Sequence, residues 1–363
     1  MRVVVVGHDA SDAALAKRIG QMRADGHEVR VASLSRAGRP SRLPGGYLDL
    51  GPTEDGAFPQ RLAAIARAGR TLSRRGFVRE GEVCWARNLD AGLAAVAAGA
   101  GGRHGPPLVY ECLDVHDALS GEGLACTLAR GLERRVVRRA RRIVVSAPAF
   151  ETHHFGPRYG RTGLDLIENR VVPDGPRPSL GARADRPMTI GWFGILRCQR
   201  SLDRLLGAAA AGQGRLRIVL RGQPAAVALP RFAEQVAACP QAVFAGPYER
   251  RDLPNLYAGI DLAWAGDWSQ DGANSRWLLP NRLYEAGWHG VPVATPDGTA
   301  TADWVRRHGT GIVCAADPTP DGLLAALLEA PVDALRDRVA AAPDVLFAAA
   351  PGEVGRVLEA ARC

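Results

Sequence analysis

The run Val3–Val6 is apolar at every position and is closed by Gly7. A strand with no polar face is the pattern of a parallel strand covered on both sides. From Ala13 to Asp25 the apolar residues recur with helical period, and Gly26 supplies a stop. His27–Ser33 then alternates, so the chain opens as β-α-β. Strand-like runs follow at Glu82–Ala86, Leu108–Cys112, Ile143–Ser146 and Leu164–Ile167. Helix-like runs lie at Pro59–Arg75, Leu89–Ala98, Gly123–Ala140 and Pro148–Phe155. The pattern breaks at Val172–Pro187, which holds Pro173, Pro176, Pro178, Pro187, Gly175 and Gly181 and reads as a linker. A new apolar run, Met188–Phe193, ends at Gly194. Strands at Arg217–Leu220, Ala242–Ala245, Asp261–Ala265, Val291–Thr295 and Gly311–Cys314 then alternate with helices. The expected fold is α/β: two doubly wound domains, 1–170 and 188–363, joined by a linker at 171–187. The last helix is a candidate to pack back on the first domain. In such folds ligands bind beyond the carboxyl ends of the strands, here in a cleft between facing domains.

Composition narrows the class. The chain has 363 residues, 47% hydrophobic and 23% charged, which is ordinary globular usage with length for two or three domains. The longest uncharged apolar-rich stretch, Ala91–Gly102, is too short to span a bilayer. Met1-Arg2 runs straight into a strand pattern without a leader, so a cytoplasmic protein is expected. The net charge of +8 is uneven. Residues 1–170 carry 26 basic and 18 acidic side chains, and residues 171–363 carry 20 of each. Lys17 is the only lysine among the 46 bases, a bias that reads as GC-rich coding more than phosphate chemistry. Seven dispersed cysteines without CxxC spacing argue for reduced thiols and against a zinc site. Gly7-His8-Asp9-Ala10-Ser11-Asp12 carries one glycine and two acids after the first strand, so a nicotinamide fingerprint is absent.

The segment Leu279–Ala294, LPNRLYEAGWHGVPVA, carries the most specific chemistry. Pro280 can open a helix, and Arg282, Glu285 and His289 then share a face. A carboxylate there can accept two ribose hydroxyls, and an arginine one turn earlier can meet a phosphate. A plain surface Arg–Glu pair would show the same spacing. Pro280, Arg282, Tyr284, Glu285, Gly290, Pro292 and Val293 resemble, in order, the donor-site motif of retaining GT-B glycosyltransferases of family 4 type. The resemblance implies two Rossmann-like domains facing a cleft, with Asn281, Arg282 and Glu285 on a nucleotide-sugar and Glu285 on its ribose. Ile190–Arg200 resembles the family's glycine loop, in which Gly194 lets backbone approach the diphosphate. Ile195 stands where the family has arginine, Arg200 where it has lysine, and Arg197 can supply the missing charge. Arg221, in Leu220-Arg221-Gly222, falls at the family's next strand end. Eight positions before Glu285 the family commonly has a second glutamate; here it is Trp277. The sugar contact is expected instead from Asp267, Asp271 or Asn274.

In the first half, Tyr110–Asp117 resembles the family's strand end that presents a histidine to the sugar, which makes His116 and Asp114 the catalytic candidates. Leu166-Ile167-Glu168-Asn169 resembles the domain-junction motif, with Arg170 in place of glycine. Arg87-Asn88 also ends a strand. Arg130–Arg142 reads as a basic amphipathic helix: Arg134, Arg138 and Arg141 form a stripe that Arg135, Arg139 and Arg142 widen. It suits an anionic membrane surface or simple solvation, and no nucleic-acid signature accompanies it.

The resemblance implies a retaining, metal-independent transfer with no cofactor. The sugar would move from a nucleotide-diphosphate donor to a glycan or polyprenyl-linked acceptor in cell-surface polysaccharide synthesis. No Asp-x-Asp motif is present, and arginines with helix amides can meet the departing diphosphate. The alternatives are a nucleotide-sugar epimerase on the same fold and a non-catalytic membrane-associated scaffold. An enzyme on the inner face of the membrane would use its basic half for the acceptor.

Overall fold

A computed structural model describes residues 1–36, 38–53, 58–115, 119, 121, 123–181, 186–270, 272 and 274–363. The chain divides into two compact units, Met1–Glu168 with Ala350–Cys363, and Asn169–Ala349.

The first unit is built on parallel strands β1 (Arg2–Gly7), β2 (Glu28–Ser35), β3 (Leu48–Pro52), β4 (Val83–Arg87), β5 (Leu108–Cys112), β6 (Ala140–Val145) and β7 (Asp165–Leu166). Their order is β3-β2-β1-β4-β5-β6-β7. The central β1 pairs with β2 and β4, so Val3–Val6 are buried on both faces, as the apolar run requires. Asp12 caps the helix Ala13–Ala24 by accepting the N–H of Ala14, and Gly26 leaves it at φ +81°. The helix Glu353–Arg362 buries Val354, Val357, Leu358 and Ala361 in this core, beside Val3, Leu15 and Trp85. The chain's last helix is therefore part of the first unit, and residues 188–363 are not one body.

The second unit repeats the plan with β8 (Met188–Leu196), β9 (Leu216–Pro224), β10 (Ala242–Phe244), β11 (Leu262–Trp264), β12 (Val293–Pro296) and β13 (Gly311–Cys314). The order is β10-β9-β8-β11-β12-β13, again parallel. Ile190, Trp192, Leu202, Leu205, Ile218 and Trp264 form its core.

Two expectations are corrected, and one strand is added. The stretch 171–187 is no loose tether where it is described. Val171 donates to Phe347 O and accepts from Ala349 N, and Arg177 donates to the carbonyls of Gly287, Val339 and Ala342. The arginine-rich helix spans Leu124–Arg139 and stops at Ala140, where the β-branched run Ile143–Val145 favours a strand. Arg141 and Arg142 consequently lie on β6, and Arg142 pairs with Asp165 at 2.5 Å. The added strand is the edge strand β3, which the pattern did not reveal. Its sequence LDLGP has little apolar alternation and needs Gly51 at φ +92°.

Candidate functional site

In each sheet the strand order reverses beside its first strand, between β1 and β4 and between β8 and β11. Chains leaving the carboxyl ends of strands at such a point diverge, and ligands bind in the opening. In the second unit, β8 ends at Gly194-Ile195-Leu196 and β11 is followed by Gly266 and Asp267.

Gly194 stands at φ +108° and pairs with Gly222, itself at φ +122°. A Cβ on Gly222 would lie 1.9 Å from Gly194 O. The two strands can touch there only as glycines, leaving backbone without side-chain cover. Cys198 caps the helix Gln199–Ala211 by accepting the N–H of Ser201 at 3.3 Å, and its Sγ also accepts the N–H of Trp268. Ser201 Oγ bonds Gly266 O at 3.2 Å and accepts from Trp264 Nε1. These bonds fix the first turn of that helix against the 266–268 loop.

Arg197 Nε bonds Asp267 at 3.2 Å. Burial would raise the Asp267 carboxyl, but Arg197 and the bonds from Ser269 outweigh it and hold the group below its usual range. Arg282 comes next to this pair from the helix Asn281–Trp288, which follows Pro280 at the cap position. Among the described residues the Nη1 of Arg282 is buried without a hydrogen-bond partner. Burial pushes its guanidinium down from the ordinary value, with Asp267 opposing and Arg197 reinforcing the shift. A buried guanidinium arm of this kind has the chemistry to meet an anion.

Glu285, one turn on, accepts from the phenol of Tyr257 at 3.3 Å. Tyr257 is fully buried, stacked on His289 at 5.1 Å and set edge-on to Phe193 at 5.3 Å. His289 does not reach out on the helix face. It forms the C-cap, and its Nδ1 bonds the Glu285 carbonyl at 2.7 Å. Tyr248 lies among Glu285, Arg282 and Arg221, and its phenol is pushed up by burial and then by Glu285. A Cβ on Gly194 would sit 4.0 Å from the Tyr248 hydroxyl. Tyr248 and Tyr257 were not legible as site residues in the sequence, because neither stands in a motif.

The other candidates have distinct placements. Arg221 donates to Gly246 O at 3.1 Å and Pro247 O at 2.9 Å, holding the turn that carries Tyr248. Arg200 is exposed, with its guanidinium 5.6 Å from the centre of the Trp268 ring. Asn274 is buried and donates to Gln270 at 2.8 Å. Asn281 is exposed at the start of its helix. Asp271 and His116 lie outside the described residues.

In the first unit, Asp114 is exposed just beyond β5. Glu111 within the same motif is buried and bound by Arg18, Arg87 and Trp85 at 2.9, 2.8 and 2.7 Å. Burial opposes its ionisation, but the two guanidiniums prevail and hold it at about 2. Arg87, an open possibility from sequence, is thus fully buried between Glu111 and Asp12. A surface cavity of about 680 Å³ in the second unit is lined by Arg186, Met188 and Arg215. It lies at the amino ends of the strands, away from these groups.

Comparison with known proteins adds to this geometry. Residues 14–169 match the family model described as a glycosyl transferase 4-like domain. The chain is 37% identical over 328 residues to the succinoglycan biosynthesis protein ExoL of Rhizobium meliloti, covering 86% of this chain and 81% of that one. Among solved structures it is similar to sucrose-phosphate synthase of Thermosynechococcus elongatus, with TM-score 0.75 at 13% identity and coverage of 99% and 98%. It is also similar to Anabaena HepE in complex with UDP, with TM-score 0.70 at 16% identity and 99% of each chain covered.

Proposed function

The chain belongs to the GT-B glycosyltransferases with a glycosyl transferase 4-like domain, and on that premise we propose that its second unit binds a nucleoside-diphosphate sugar. The observation that carries this reading is the buried Nη1 of Arg282, unpartnered among the described residues, next to Arg197 and Asp267 on the segments that leave β8 and β11. The diphosphate rests on the Gly194 backbone, the first turn of Gln199–Ala211 and the arginine arms. Arg282 and Arg197 stabilise the negative charge that grows on the leaving group, so the transfer needs no metal ion. Glu285, steadied by Tyr257, accepts the ribose hydroxyls. The UDP held by the HepE structure and the ExoL similarity support a nucleotide donor and a role in polysaccharide biosynthesis.

The transferred sugar keeps its anomeric configuration, and the acceptor is a glycan or polyprenyl-linked sugar met by the first unit through Asp114 and His116. The helix Leu124–Arg139 supports docking on an anionic membrane. Arg134, Arg135 and Arg138 are exposed on it, as are Leu124 at 91% and Leu128 at 52%.

The test is calorimetry with UDP and GDP, then turnover of the sugar donor. Arg282→Ala removes a charge-assisted bond worth about 1.5–3 kcal/mol, so nucleotide affinity should fall at least about tenfold. Glu285→Ala should act in the same direction. Unchanged binding in both variants would refute the site. Turnover that persists in EDTA, with product of the donor's anomer by NMR, is expected; donor isomerised without acceptor would indicate an epimerase.

A further inference from the structure

The first unit's own strand-order reversal holds a second cluster that the donor chemistry does not use. His8 follows β1, and Asn88 follows β4. Asn88 stands at φ +66°, a conformation that costs a non-glycine residue about 1–3 kcal/mol and gathers at functional sites. Its amide is oriented: Oδ1 accepts the N–H of Leu113 at 3.1 Å, which turns Nδ2 toward His8 Nε2 at 3.5 Å. Nε2 must therefore accept, and in a neutral ring the proton sits on Nδ1. Burial lowers the imidazole below its ordinary range and outweighs Asp12 next to it, so the ring is neutral at pH 7. His8 Nδ1 is itself buried and has no hydrogen-bond partner among the described residues.

Charged groups surround the ring, and they pair with one another. Arg36 pairs with Asp9 at 2.9 Å, and Arg87 pairs with Asp12 at 3.3 Å and Glu111 at 2.8 Å. Arg39 also approaches Asp9, at 4.0 Å, so within this cluster of paired charges His8 is the neutral donor. It offers a fixed, neutral N–H to a neutral oxygen.

We infer that His8, held by Asn88, binds the acceptor by donating from Nδ1 to a hydroxyl of an uncharged sugar. This rests on the reading of the first unit as the acceptor side. The buried, otherwise unanswered donor gives specificity, because a sugar lacking that hydroxyl leaves it unpaired.

The probes are octyl β-glucoside, β-galactoside and α-mannoside, titrated into protein carrying ¹⁵N-histidine. The His8 ring signals should shift with at least one glycoside. His8→Ala should weaken that glycoside's affinity about tenfold, and His8→Gln, which keeps an N–H donor, should recover most of the loss. UDP affinity should stay within twofold in both variants, which also reports that they fold. Unmoved His8 signals across the three glycosides overturn the inference, as does a His8→Ala variant whose glycoside affinity stays within twofold. Failure of the wild-type protein to bind UDP would instead refute the donor site, and the NMR result would stand separately.

Discussion

At the scale of single residues, side chains of one chemical type do different work according to their partners. Among the described residues Arg282 keeps a buried donor open, whereas Arg221 is held by two carbonyls and Arg87 pairs with two carboxylates while its Nη2 stays buried without a hydrogen bond. Glu111 shows the energetic side. Its folded value near 2 lies below the ordinary 4.5, so it stabilises the fold above pH 4.5. That contribution is lost as the pH falls from about 4.5 to 2. Glu111→Gln should therefore flatten the stability profile across this window. At pH 7 it should cost about 3–5 kcal/mol, because Arg18 is left buried without a carboxylate and Arg87 keeps only Asp12. Urea titrations at several pH values check both outcomes. The motif around Glu111 was legible in the sequence, but its anchoring role was not, since Arg18 and Arg87 are remote along the chain.

At the scale of elements, the helix Leu124–Arg139 has one packed face and one exposed basic face. Its inner face is fixed by Glu133, which accepts from Tyr110 at 3.2 Å, His154 at 2.8 Å and Tyr159 at 2.6 Å. The predicted stripe was right for Arg134, Arg138, Arg135 and Arg139, and wrong for the two residues that continue into β6. Helical period and strand alternation meet there without a Gly or Pro to mark the boundary. If this face docks on membranes, sedimentation with phosphatidylglycerol vesicles should fall about thirtyfold for Arg134→Ser with Arg138→Ser, at about 1 kcal/mol per base. Leu124→Ser with Leu128→Ser should weaken it further, and high salt should release the wild-type protein. Retention of the double arginine variant on vesicles would refute the docking face.

At the scale of the whole chain, the two units are not two consecutive pieces. The last helix returns to the first unit, where Asp25 accepts the N–H groups of Gly352 and Gly355 at 2.9 Å each. A carboxylate from another helix thus caps the free amides at the start of Glu353–Arg362. Asp25→Ala should cost about 1 kcal/mol and lower the melting temperature by about 2–4 °C, measured calorimetrically. An unchanged melting temperature would show the cap to be dispensable.

The sequence by itself determined the alternation of strand and helix and the two-fold repetition of the plan. It also carried the glycine turn at Gly194 and the helix that bears Arg282 and Glu285. Those are local properties, since apolar period and glycine position act within a few residues. The tertiary structure decided the order of the parallel strands, and only that order sets Arg197, Asp267, Tyr248 and Arg282 around one glycine pair. It also decided the fate of the last helix, whose apolar stripe names no partner until β1 and its neighbours supply one. Pairings between distant residues depend on which strands become neighbours, and no short stretch of sequence encodes that.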